Sequence, residues 1–403
     1  CSKSDVESRP VVPVVGDVEI VSGSKVSVIT RTPFEGTLDD KANNKLTAYV
    51  YATKLDVANS NAYVSYDAAN LAAEGYMTFV SSNTQDGATS KYPVAAVGFQ
   101  KEDTTPGTYV ADPQYYPSND NPLYMVGLVP AVKADWTMDA DSKVATHAID
   151  GKTDIMAAAV TKMKDATNTD VAIQKSKASA TVYPTFNFKH KLTLVNVKVY
   201  TPTQKEQAAW GKITKIELVA VNKGTALSTD GVNDQCDVTL ETGVAAWSAT
   251  ATGKTTPFYA YNTTDKYTDK LISTDADKTA DADANFGAVE IATATTATGT
   301  ATVADAQYVA YSMIAPFTVK SNGTKIENLK LKVYTEKNTD GVDAIIKGLY
   351  ETSDVDPDSG TIYVGSTEGK KFDVTLKFAG KEIKASAAVT DWEEKFAGEV
   401  EII

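Results

Sequence analysis

The chain has 403 residues, 42% of them hydrophobic, enough to bury at least one core and, at roughly 100–200 residues per domain, to form two domains. Its formal charge is −13, from 52 acidic residues against 39 Lys and Arg, so it offers no net positive field to a phosphate backbone and nucleic acid is not an expected partner. No apolar run approaches the ~20 residues that a membrane-spanning helix needs.

The chain opens on CSKSDVESRPVVP. A cysteine followed by a polar tether rich in Ser and Pro is the pattern of a processed lipoprotein, in which Cys1 carries the lipid and holds the body at a membrane surface; a chain trimmed at an arbitrary point is the plain alternative. The second cysteine, Cys236, is far away, so neither a disulfide framework nor a zinc spacing is implied. GDVEIVSGSKVSVIT then alternates, with Val18, Ile20, Val26 and Val28 on one face, and the run ends at Arg31, followed by Thr32 and Pro33. KLTAYVYATKL continues the period of two, placing Leu46, Ala48 and Val50 opposite Thr47, Tyr49 and Tyr51.

GYMTFVSS, YPVAAVGFQ and PLYMVGLVPAV follow, separated by turn-rich intervals such as SSNTQDGATSKYP and YYPSNDNP. Two segments have helical composition, DAANLAAEGY (67–76) and DIMAAAVTKMKDA (154–166), whose Ala, Leu and Met content and acidic starts predict short helices at a sheet edge. AIQKSKASATVYP (172–184) is polar with short side chains and predicts a domain boundary near residue 180. PTFNFKHKLTLVNVKVYTP then reads as one long strand starting near Phe186. TKIELVAV, AQYVAYSMIAPFTV, IENLKLKVYTE, GTIYVGS and KKFDVTLKFAGKEIKASAAV extend the β pattern, with the Thr, Val and Tyr that half-buried pleated surfaces favour. Between them, residues 273–305 are Ala/Thr/Asp low-complexity material, which predicts a long exposed loop or a thin β-ribbon. The expected fold is all-β, with sandwich domains and few short helices.

Residues with chemical potential are few. Asp281–Gly287 (DADANFG) resembles a calcium loop, but Phe286 stands where the turn glycine is needed and the closing Glu is missing. Gly365–Lys371 (GSTEGKK) is one residue short of a phosphate-binding loop and reads as a hairpin turn. His147 and His190 are the only imidazoles, without a nucleophile motif beside them, and His190 reads as a structural group at a strand face or domain junction. Glu393 and Glu394 sit beside Trp392 as solvated carboxylates. Neither a metal nor an organic cofactor is expected, and a secreted hydrolase is disfavoured because no catalytic constellation is visible.

At this point the sequence resembles a known family. YPTFNFKHKLTLVNVKVY (183–200) is similar to the F-x-F-x-H-x-L strand of the fimbrillin-like proteins, the type V pilins of Bacteroidales, and TDIMAA (153–158) to the short element preceding it. YYPSNDNPLYMVGLVP (115–130), AYSMIAPFTV (310–319) and the terminal VTDWEEKFAGEVEI (389–402) fit the same order and spacing. The resemblance implies two transthyretin-like Greek-key β-sandwiches, 32–180 and 181–403, preceded by a removable tether and strand, 1–31. It implies export as an outer-membrane lipoprotein, cleavage by an arginine-specific surface protease between Arg31 and Thr32, and polymerisation with other pilin subunits at the cell surface. Pro33, two residues past the scissile bond, departs from an easily cut site.

Under that mechanism, removing Val18, Ile20, Val26 and Val28 bares an apolar groove flanked by unpaired backbone, which a strand from another subunit fills. The expected donor is 383–403, with Ile383, Ala385, Ala387 and Val389 in one phase, followed by Trp392. The same tail also reads as the last strand of its own sandwich. A tip adhesin or glycan-binding surface lipoprotein is the other class, with the 20 tyrosines as a sugar platform or as ordinary strand residues.

Overall fold

The computed structural model describes residues 23–24, 46–54, 71–80, 94–139, 142–179, 182–221, 231–264, 266–274, 285–317, 327–347, 368–380 and 382–391. They are all-β with one short α-helix, as the alternation predicts. The strands up to His190 are β1 (Gly23–Ser24), β2 (Leu46–Lys54), β3 (Leu71–Val80), β4 (Val94–Glu102), β5 (Tyr109–Ala111), β6 (Leu123–Val129), β7 (Trp136–Asp139), β8 (Val144–Ala148), β9 (Met156–Val160), β10 (Lys162–Lys164), β11 (Asp170–Ala172), β12 (Thr185–Phe186) and β13 (Lys189–His190). There follow β14 (Thr193–Tyr200), the helix α1 (Gln204–Trp210), β15 (Ile213–Val221), β16 (Gln235–Thr239), β17 (Ala245–Ser248), β18 (Thr256–Pro257), β19 (Tyr259–Asn262), β20 (Lys266–Leu271), β21 (Gln307–Ile314), β22 (Glu327–Thr335), β23 (Asn338–Lys347), β24 (Lys370–Ala379) and β25 (Glu382–Asp391).

A nine-stranded sheet has the order β12-β1-β4-β3-β2-β6-β9-β13, with β5 on β4. Its two ends, β12 and β13, are separated by only Asn187 and Phe188. Since consecutive Cα atoms are about 3.8 Å apart, the sheet must curl until its ends meet. The curl encloses a core of alternate side chains: Leu46, Ala48, Val50 and Ala52 from β2, and Met77 and Phe79 from β3, under Phe186 and Phe188. Gly127 in β6 lets Phe188 approach, because a Cβ there would lie 2.6 Å from the ring.

The expected helices at 67–76 and 154–166 are corrected: Leu71–Val80 is β3, while Met156–Val160 and Lys162–Lys164 are β9 and β10. Both faces of β9 are packed, with Met156, Ala158 and Val160 in the curled-sheet core and Ala157 in a second cluster. Small residues suit such a doubly covered strand, and tertiary pairing overrides their helix propensity. The helix that does form, α1, is capped by the Thr203 hydroxyl, which accepts the Glu206 N–H at 3.2 Å, and ends at Gly211 with φ +70.

The run read as one strand from Phe186 is split. Residues 185–190 belong to the curled sheet, whereas β14 joins a six-stranded sheet, β20-β19-β21-β14-β24-β25, so the chain changes sheet between His190 and Thr193. A four-stranded sheet, β18-β15-β22-β23, shares a core with it: Val195, Val197 and Val199 of β14 and Phe372, Val374, Leu376 and Phe378 of β24 lie in one cluster with Ile216, Leu218, Leu329 and Leu331. The small sheet β17-β16-β8-β7 takes two strands from each side of residue 180. It helps to bury a junction core in which Tyr49 and Tyr51, on the outer face of β2, meet Trp136, Cys236, Tyr259 and Tyr311.

Of the stretch 285–305, residues 295–305 are mostly exposed, as expected of a loop, but residues 285–293 pack on the core. They run as a strap, with Val289 and Ile213 exchanging backbone hydrogen bonds at 2.9 Å and Val289 and Ile291 buried in the six-and-four-stranded core.

Candidate functional site

The two features that bear on subunit assembly are the seat of β1 and the last strand, β25. β1 pairs antiparallel with β4, Gly23 opposite Ala95, and parallel with β12, Gly23 opposite Thr185. It therefore lies between β12, at one end of the curled sheet, and β4. β4 and β12 run in opposite directions on either side of it, so any strand in this slot pairs parallel with one neighbour and antiparallel with the other, whichever way it points. With strands spaced at about 4.8 Å, the slot is one strand wide.

β25 is the outermost strand of the six-stranded sheet and pairs with β24 alone, in a register that sets Ile383 opposite Phe378, Ala385 opposite Leu376, Ala387 opposite Val374 and Val389 opposite Phe372. Ile383 is buried in the core and Ala385 packs against it. Cys1, Val18, Ile20, Val26, Val28, Arg31, Thr32 and Trp392 lie outside the described residues, as does most of the Asp281–Gly287 loop.

Between slot and tail lies a polar junction that the sequence did not reveal beyond His190. His190 Nδ1 is 3.0 Å from Asp154 Oδ1, both side chains being buried. The next residue, Lys191, reaches Glu368 at 2.6 Å, and its carbonyl accepts the Trp247 indole N–H at 3.1 Å. Glu368 and Gly369, within the expected hairpin turn, lead into β24, and the Gly369 N–H donates to the Leu192 carbonyl at 2.9 Å. His147, by contrast, stacks edge-on against Trp136 at 5.0 Å, and burial holds its imidazole below the ordinary value. Cys236 is buried beside it in register, and burial pushes its thiol up to about 12, which keeps it unreactive. Among the described residues, no three His, Cys, Asp or Glu side chains come together as a metal-ligand set.

The model of the fimbrillin-like family matches residues 65–270, just over half of the chain. The chain belongs to the fimbrillin-like family. Membership puts it among cell-surface proteins of fimbriae and adhesion. Solved structures similar to this fimbrillin-like chain include a candidate cell adhesion protein of Bacteroides uniformis, 13% identical over 94% of this chain and 100% of that one with a TM-score of 0.43. A fimbrial protein of Bacteroides vulgatus is 13% identical over 93% of this chain and 99% of that one, TM-score 0.40. A tip fimbrial protein of Porphyromonas gingivalis, truncated at its C-terminus, is 10% identical over 93% and 100%, TM-score 0.33. No curated protein matches the chain in sequence.

Proposed function

We propose that the chain is a structural subunit of a fimbrium, exported as an outer-membrane lipoprotein through Cys1, cut between Arg31 and Thr32 by an arginine-specific surface protease, and polymerised by strand exchange with other pilin subunits. In this reading 1–31 is the removable segment and 32–180 and 181–403 are the two transthyretin-like units of the mature subunit.

The observation that carries the proposal is the position of β1 between β4 and β12. Loss of this segment would leave two facing rows of unpaired N–H and C=O groups over a core containing Phe79, Phe99 and Phe186. An incoming strand would restore both ladders and bury an apolar side chain at every second position, each contributing about 1.5–3 kcal/mol. The donor is β25 with the tail that follows it: as an outermost strand paired on one side, it leaves its sheet by breaking a single ladder. Head-to-tail donation of this kind does not close on itself and builds a filament.

The test is Arg31→Ala, examined by electron microscopy of cell-surface filaments and N-terminal sequencing of the mature subunit. The expected result is a folded, lipid-anchored monomer without filaments, because the slot is never vacated. Normal filaments from that variant, or a filament subunit that still begins at Cys1, would overturn the reading.

A further inference from the structure

We infer, on the polymerisation reading above, that β1 is a weak occupant of its slot, and that the slot fits a strand with a β-branched apolar residue at the level of Ser24, supplied by a second copy of this chain.

The slot is short. On β4, Gly23 pairs with Ala95 and Ser24 with Val94. The residue before Val94 is Pro93, which has no N–H to give a ladder. Toward its other end β4 carries a bulge: Ala96 stands opposite Phe79 of β3 and Phe99 opposite Met77, which leaves Val97 and Gly98 against a single residue, with Gly98 at φ +60. β3 holds one edge of β4 on both sides of the bulge, so β1 and β5 share the other edge. Past the bulge that edge is taken, by β5 opposite Gln100, Lys101 and Glu102 and by the Asp112 N–H, which donates to the Phe99 carbonyl at 2.9 Å. A seated strand therefore pairs with β4 over residues 94–97. On the opposite side β12 begins at Thr185, after Pro184, which likewise lacks an N–H. Gly23 and Ser24 stand at the levels where the slot pairs on both sides.

Those levels are where the occupant is weakest in sequence. The level of Ser24 lies on the core face of the sheet by two routes: its partner on β12 is Phe186, fully buried in the curled-sheet core, and its partner on β4 is two residues from Ala96, the partner of the core residue Phe79. A strand of this phase should be apolar there, as it is at Val18, Ile20, Val26 and Val28, yet positions 22 and 24 are both serine. A serine has little hydrocarbon to bury, and its hydroxyl gains nothing from an apolar core. Gly23 between them weakens a strand and brings no side chain to pack. β25 has the same period of two, carries the β-branched Ile383 and Val389, and contains no glycine. Either residue, seated at the level of Ser24 by a second copy, adds the burial and the stiffness that β1 lacks, so exchange runs toward the filament.

The test compares the full chain with Ser24→Val, Ser24→Thr and Ser24→Asp by thermal melting of the uncut chain, N-terminal sequencing after protease treatment, and electron microscopy of filaments over time. Ser24→Val should melt about 2–4 °C above the parent. It should be cut between Arg31 and Thr32 like the parent, yet form filaments about tenfold more slowly, because the cut strand stays seated. Ser24→Thr, of the same shape with a hydroxyl in place of a methyl, should gain less than Ser24→Val, and Ser24→Asp should melt below the parent. A Ser24→Val chain that melts no higher than the parent, one that melts higher yet assembles at the parent's rate, or a Ser24→Thr gain equal to that of Ser24→Val would overturn the inference. Melting is read on the uncut chain, so this failure is distinct from that of the polymerisation reading, which shows as normal filaments from Arg31→Ala.

Discussion

Lys191 and Glu368 form an ion pair with Nζ and Oε1 2.6 Å apart, across 177 residues of sequence. Lys191 follows directly on β13, the last piece of the curled sheet, and Glu368 stands just before β24, which carries β25. The pair thus fastens the start of the C-terminal hairpin to the point where the chain changes sheet. With the Lys191 side chain 6% exposed and that of Glu368 25% exposed, it is worth more than a surface pair and less than a fully buried one. Lys191→Met should lower stability by about 1–3 kcal/mol. A double-mutant cycle with Glu368→Gln in urea unfolding should return a coupling above zero, and additive losses would show that the contact contributes nothing.

Phe188 is fully buried between Phe79 and Phe186, at ring distances of 5.5 and 5.6 Å, over Gly127. Phe188→Ala should cost about 3–5 kcal/mol, and Phe188→Leu distinctly less, because the curled sheet is stapled from both ends and cannot collapse onto the cavity. Equilibrium urea unfolding measures both. Equal losses from the two variants would mean that the void relaxes.

Burial pushes the Tyr51 and Tyr116 hydroxyls up to about 12 from the ordinary 10.0, and raises those of Tyr49 and Tyr311 further. Unfolded tyrosines therefore ionise first, so the folded state binds more protons between pH 10 and 12. This stability is fully present below pH 10 and is lost as pH rises through that window. Urea midpoints should fall steeply above pH 10, with tyrosinate absorbance rising in step with unfolding. Tyr51→Phe should flatten the dependence.

Thermal melts with and without EDTA should superimpose, because the described residues contain no metal-ligand cluster and the acidic stretch 275–283 lacks calcium-loop spacing. A lower melting temperature on chelation would assign a cation to that stretch.

The sequence determined the phase of the strands. In β2, Leu46, Ala48, Val50 and Ala52 point into one core, and in β24 Phe372, Val374, Leu376 and Phe378 do the same, because a period of two is a local property of the pleat and a one-residue slip would turn every apolar group outward. It also marked His190 as a structural group at a strand face or domain junction. Local pattern carries no information about which sheet a strand joins or whether its second face is covered. The tertiary structure therefore decided that the run from Phe186 divides among three strands in two sheets, and that Ala-rich 156–160 is a strand packed on both sides rather than a helix. It made a core strap of residues 285–293 of the Ala/Thr-rich segment, through two apolar residues, Val289 and Ile291. It also brought Lys191 to Glu368, and Asp154 to His190, through pairings between strands far apart in sequence, whose partners are chosen by burial over the whole molecule and not by any neighbour along the chain.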